Sequence, residues 1–88
     1  MMMKIDHPER YDRFMDAIRL SLLVWRDRGG RNAAQLCEKL EMSERTVHRR
    51  FRSPETLTLA ELYAWCELYG KDPCELLLQA FEASKCED

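Results

Sequence analysis

Five times in 88 residues the chain sets a helix-starting residue ahead of an apolar pattern of helical period. Asp6 with Pro8 and Glu9 opens the first segment, Asn32 with Gln35 the second, Ser43 the third, Thr58 with Glu61 the fourth, and Asp72 with Pro73 and Glu75 the fifth. Short oxygen-bearing side chains accept from the free amides of a first helical turn, an acid or amide three residues on bonds back, and proline is tolerated only in that turn. Starts spaced in this way mark out one long helix followed by four shorter ones, so the spacing predicts an all-α fold, a compact five-helix bundle.

The apolar positions agree. Tyr11, Phe14, Met15, Ile18, Leu22 and Trp25 recur every three to four residues along a helix ending near Arg28. Gly29 and Gly30 follow, and glycine accepts the left-handed conformation that closes a helix. Leu36 and Leu40 point the second helix inward, and Val47 and Phe51 the third, across a link of Glu41 and Met42. Leu59, Leu62, Trp65, Cys66 and Tyr69 keep the period in the fourth, and "CELLLQAFEA" forms the fifth. The segment between Phe51 and Thr58 is expected as a loop. Residues 1–88 are expected as one domain, with 1–6 and 84–88 flexible.

A chain of this size buries only about 60% of the surface its unfolded form exposes, which disfavours a deep catalytic cleft. No histidine–carboxylate–nucleophile set, glycine-rich phosphate loop or metal-ligand spacing occurs, so neither an enzyme nor a cofactor is expected. The four cysteines, at 37, 66, 74 and 86, form no CxxC pair and lie far in sequence from His7 and His48, which argues against a metal. Three of them fall inside apolar helical patterns, where a free thiol acts as a small hydrophobe, and a reducing, cytoplasmic setting is expected. No apolar run approaches the roughly 20 residues that span a bilayer, and the N-terminal stretch is too polar for a signal segment. Neither a membrane nor a small-molecule ligand is inferred as partner.

Two short helices on a tight link between longer ones have the layout of a helix-turn-helix. Leu36 followed by the small Cys37, then Leu40, then Met42 before the cap Ser43, then inward Val47 and Phe51, and finally "RSPETLTLAELYAWCELYGKDPCELL" stand in the order of a known family. Over residues 18–82 the chain resembles the lambda-repressor-like, Cro/XRE-type helix-turn-helix proteins, in the branch found in phages and mobile elements. The resemblance implies a DNA-binding domain with its motif at about 32–52 and a recognition helix at 44–52.

The family layout places Glu44, Arg45, His48 and Arg49 as readers of base edges, because the N-terminal residues of a recognition helix reach the major groove. Arginine bonds guanine O6 and N7 together, and glutamate accepts from cytosine N4. Glu44 either reads a base or simply favours the helix dipole at the first helical position. Phosphate contacts are expected from Arg28, Arg31, Asn32, Gln35, Ser43, Thr46, Arg50 and Arg52, and from the free amide of Ala33, since a helix N-terminus attracts anions. Where many members of the family have a glutamine, this chain has Ala33, leaving Arg31, Asn32 or Gln35 to replace it.

Charge is unevenly spread. Residues 26–52 carry eight Lys and Arg against four Asp and Glu, whereas 53–88 carry two against eight. DNA affinity depends on the local positive face, so a net charge of −2 is compatible with it. Leu20, Leu23 and Val24 widen the apolar face of the first helix, as Leu76, Leu77, Leu78 and Phe81 do for the last. Such an excess suggests a partner surface, and a homodimer through the last helix is expected, on a pseudo-palindromic double-stranded DNA site. The alternative is a protein-interaction module on the same scaffold, antitoxin-like or regulator-binding, favoured by Glu44 and the acidic C-terminal half.

Overall fold

The computed structural model describes residues 4–28 and 33–85. It contains five helices: α1 (Pro8–Arg28), α2 (Ala33–Leu40), α3 (Glu44–Arg52), α4 (Leu59–Leu68) and α5 (Pro73–Ser84). No strand occurs among the described residues. Gly29, Gly30, Arg31, Asn32 and Cys86 lie outside them.

Three of the expected starts are built as capped turns. Ser43 Oγ accepts from the Thr46 amide at 3.2 Å. Thr58 and Glu61 form a reciprocal capping box, each side chain accepting from the other's amide at 3.0 Å. Asp72 accepts from the Cys74 amide at 2.9 Å, with Pro73 inside the first turn. α1 begins differently from the expectation: the His7 carbonyl, one residue beyond Asp6, accepts from the Arg10 and Tyr11 amides at 3.0 and 3.1 Å. The expected loop after α3 also departs, because Pro54–Thr56 form a turn of 3₁₀ helix with Pro54 buried.

α2 and α4 end in the same way. The Met42 amide donates to the Cys37 carbonyl and Glu41 to Glu38, while Lys71 donates to Cys66 and Gly70 to Glu67. These are Schellman closures, which need a left-handed residue just past the helix. Gly70 supplies it at φ +66, but after α2 the position is held by Glu41 at φ +55. A side chain there is strained by about 1 kcal/mol or more, and glycine is not. Glu41→Gly is therefore expected to raise stability by about 0.5–1 kcal/mol, and Gly70→Ala to lower it by about 1 kcal/mol. No atom lies within 4 Å of a Cβ added at Gly70, so that cost is conformational. Thermal melting checks both, at roughly 4–8 °C per kcal/mol in a domain of this size; equal shifts of the same sign would refute the backbone account.

α1 is the spine of the core. Its buried Met15, Ile18 and Leu22 meet Leu36, Val47, Trp65 and Ala80, with Tyr11, Phe14, Trp25 and Phe51 packed around them. A second cluster of Leu62, Cys66 and Leu76 is joined to the first by Trp25, Leu57 and Leu77. α5 runs antiparallel along α1, and Arg13 at the start of α1 donates twice to the Ser84 carbonyl at 3.0 and 3.2 Å. Ser84 is thus buried and anchored, although flexibility was expected from that residue on. Leu59 is a second correction: it keeps the apolar period yet is 79% exposed, because it occupies the first position of α4, outside the packed layer. Cys74 is exposed as well, so among the described residues only Cys66 and, in part, Cys37 serve as core thiols.

Burial first, and the Asp72 carboxylate second, push the Cys66 thiol from 9.0 up to about 11. Between those values the unfolded chain gives up the proton that the folded chain keeps. Stability is therefore expected to fall as pH rises through this window, by on the order of 2 kcal/mol when complete. A Cys66→Ala variant lacks this component of the alkaline loss. Urea midpoints at pH 8 and 10.5 measure it, and identical alkaline slopes for the two proteins would contradict it.

Candidate nucleic-acid interface

α3 is short and sharply two-sided. Val47 is buried and Phe51 half-buried, whereas Arg45, Arg49 and Arg52 are exposed. These three arginines stand at i, i+4 and i+7, the spacing that aligns side chains on one helical face, about 10 Å from end to end. His48 and Glu44 flank the stripe, with His48 Nε2 3.8 Å from Glu44 Oε1 and the two side chains 55% and 70% exposed. The pair becomes attractive when the imidazole is protonated, and Glu44 also sits at the first position of α3, where a carboxylate favours the helix dipole.

The back of α3 is held from two sides. On one, the Arg50 Nε lies 3.6 Å from Glu61 Oε1, the same oxygen that accepts from the Thr58 amide. At that distance the contact is one of charge, and Nε is buried without a hydrogen-bond partner among the described residues. On the other side, Arg19 of α1 donates through Nε to the Arg52 carbonyl at 3.0 Å, and the Arg26 guanidinium lies 4.7 Å from the Phe51 ring centroid. Phe51 in turn packs against Trp65, ring centroids 6.1 Å apart.

Glu44, Arg45, His48, Arg49 and Arg52 thus share one exposed helix surface. Arg50 stands apart from it: its side chain is 27% exposed and lies beside Glu61 of α4, so it is less open to a phosphate than the arginines of the stripe. Ser43 and Thr46 are engaged with each other, the Ser43 hydroxyl donating to Thr46 Oγ1 at 3.0 Å. Arg28 is exposed at the last position of α1. Ala33 opens α2 and Gln35 is exposed on its first turn, while Arg31 and Asn32 lie outside the described residues. Of the expected dimer residues, Leu76 is 3% exposed and consumed by the chain's own core, and Leu77 is half-buried. Leu78 and Phe81 are exposed at 59% and 52%, and Phe81 borders an apolar groove with Tyr11 and Phe14.

Sequence reasoning missed Arg19 and Arg26. Their seven-residue spacing along one edge of the apolar stripe of α1 was the available signal, but nothing local indicates that this edge meets α3. Among the described residues no helix is long and apolar enough to cross a membrane, and no group of three or more histidine, cysteine, aspartate or glutamate side chains is placed to hold a metal ion. Comparison of the chain with family models, curated proteins and solved structures returns no match.

Proposed function

We propose that the protein is a sequence-specific DNA-binding transcriptional regulator of the repressor type, in which α2 and α3 form a helix-turn-helix of the lambda-repressor-like kind and α3 enters the major groove. The observation that carries this reading is the exposed Arg45–Arg49–Arg52 stripe opposite buried Val47 on a capped, nine-residue helix. Such a helix fits the roughly 12 Å major groove, and the contacts of Arg50, Phe51 and the Arg52 carbonyl fix the backbone that carries the stripe. Arg45 and Arg49 read bases, assisted by His48 and Glu44, while Arg52, Arg28 and the first turn of α2 meet phosphates. The protein works in the cytoplasm without a cofactor or a catalytic step. Exposed Leu78 and Phe81 support a homodimer on a pseudo-palindromic duplex. Sedimentation as a monomer at high micromolar concentration counts against the dimer.

A protein-interaction module is the second reading, favoured by the acidic C-terminal half. Selection from a random duplex library, followed by anisotropy titration of the winning site and a scrambled control, separates the two. Arg45→Ala and Arg49→Ala are each expected to weaken specific binding by roughly 10- to 100-fold, the loss of one bidentate base contact, with thermal melting unchanged. No enriched site from well-folded protein rules out the DNA reading.

A further inference from the structure

Resting on the DNA-binding reading, we infer that α1 belongs to the same interface and that Arg19 and Arg26 contact DNA phosphates beside the α3 stripe. The two arginines stand seven residues apart, about 10 Å along one face of α1. Both reach the C-terminal turn of α3, Arg19 through the Arg52 carbonyl and Arg26 over the Phe51 ring. Neither is used up by these contacts, since their side chains remain 41% and 46% exposed. The cationic surface around Arg52 is therefore assembled from two helices.

Position decides which part of the duplex they meet. Base edges are reached from the N-terminal half of a recognition helix, whereas Arg19 and Arg26 flank its other end, where the helix leaves the groove past a phosphate strand. A guanidinium already held in place loses less freedom on binding, and its planar fork matches phosphate oxygens. Each arginine now pairs with an aspartate of its own helix: Arg19 Nη1 lies 2.6 Å from Asp16 and Arg26 Nε 3.4 Å from Asp27. Those carboxylates are 69% and 64% exposed, and exposed pairs are weak enough for a phosphate to displace. Asp16 and Asp27 thus act as removable competitors for the backbone. A purely structural role for the arginines predicts something else: a lower melting temperature with unaltered salt dependence of binding.

The test is anisotropy titration of the full chain on its selected duplex between roughly 50 and 200 mM KCl, with melting curves alongside. Arg19→Gln and Arg26→Gln should each lower the slope of log K against log salt by about 0.9, so the advantage of the unmodified chain shrinks by about 3.5-fold across that range. Asp16→Asn and Asp27→Asn should bind more tightly, and they decide the matter alone if a glutamine variant does not fold. Specific binding by the unmodified chain, with slopes and affinities unaltered in all four variants, overturns the inference and leaves the DNA reading standing. Absence of binding to any duplex overturns both.

Discussion

Trp65→Ala is expected to lower the unfolding free energy by about 3–5 kcal/mol, the usual cost of removing a buried large aromatic side chain. A domain of this length has roughly 4–13 kcal/mol in total, so the variant loses a large share of it. The reason lies in where the indole sits. Trp65 is 0% exposed, lies among residues of the main core cluster, and supports Phe51 on the inner face of α3. Its Nε1 is buried without a hydrogen-bond partner among the described residues, so the side chain acts by volume and ring contact alone. Trp65→Phe, which keeps a ring and removes the unpaired N–H, is expected to cost only about 1–2 kcal/mol. Urea denaturation of both variants checks the pair. A phenylalanine variant as unstable as the alanine one would mean that the indole N–H is satisfied after all.

The second large effect is expected at Glu61, where one carboxylate serves two elements. Glu61→Ala removes the returning half of the capping box, worth about 1 kcal/mol, and leaves the Arg50 charge partly buried without its counterion, worth about 1–3 kcal/mol. A combined loss of about 2–4 kcal/mol is expected. Glu61→Gln keeps an oxygen for the Thr58 amide but removes the charge, so it isolates the Arg50 contribution. Arg50→Met in the Glu61→Ala background should recover part of the loss by replacing the stranded charge with an apolar chain of similar length. Strict additivity of the two substitutions in a double-mutant cycle would show that the 3.6 Å contact carries no energy. Functionally, Arg50 and Glu61 fix α3 against α4, so these variants test whether the arginine stripe needs that backing to bind.

Much of the architecture was legible from local chemistry. Ser43, the Thr58–Glu61 box and Asp72 cap helices where their side chains implied, since capping is decided within four residues of chain. The inward faces of α1, α2 and α3 followed from spacing alone, because burial of Met15, Ile18, Leu22, Leu36 and Val47 needs only an apolar stripe of helical period. Leu59 shows the limit of that rule: period places a residue on a face, but whether another element covers it there is a tertiary matter. The same limit accounts for Glu41, which no propensity would put at a positive φ, and for Pro54, buried within an unforeseen 3₁₀ turn.

For the candidate interface the division is sharper. Alternation of Val47 and Phe51 with Arg45, His48, Arg49 and Arg52 determined by itself that α3 is apolar within and basic without, since both properties are set by 100° per residue along one helix. Which arginines remain available was settled only when the helices packed. Arg50 was drawn to a carboxylate 11 residues away, Arg13 to a carbonyl 71 residues away and Arg19 to one 33 residues away. A long, flexible guanidinium finds its partner by proximity in space, and one-dimensional spacing carries no information about which helices lie side by side.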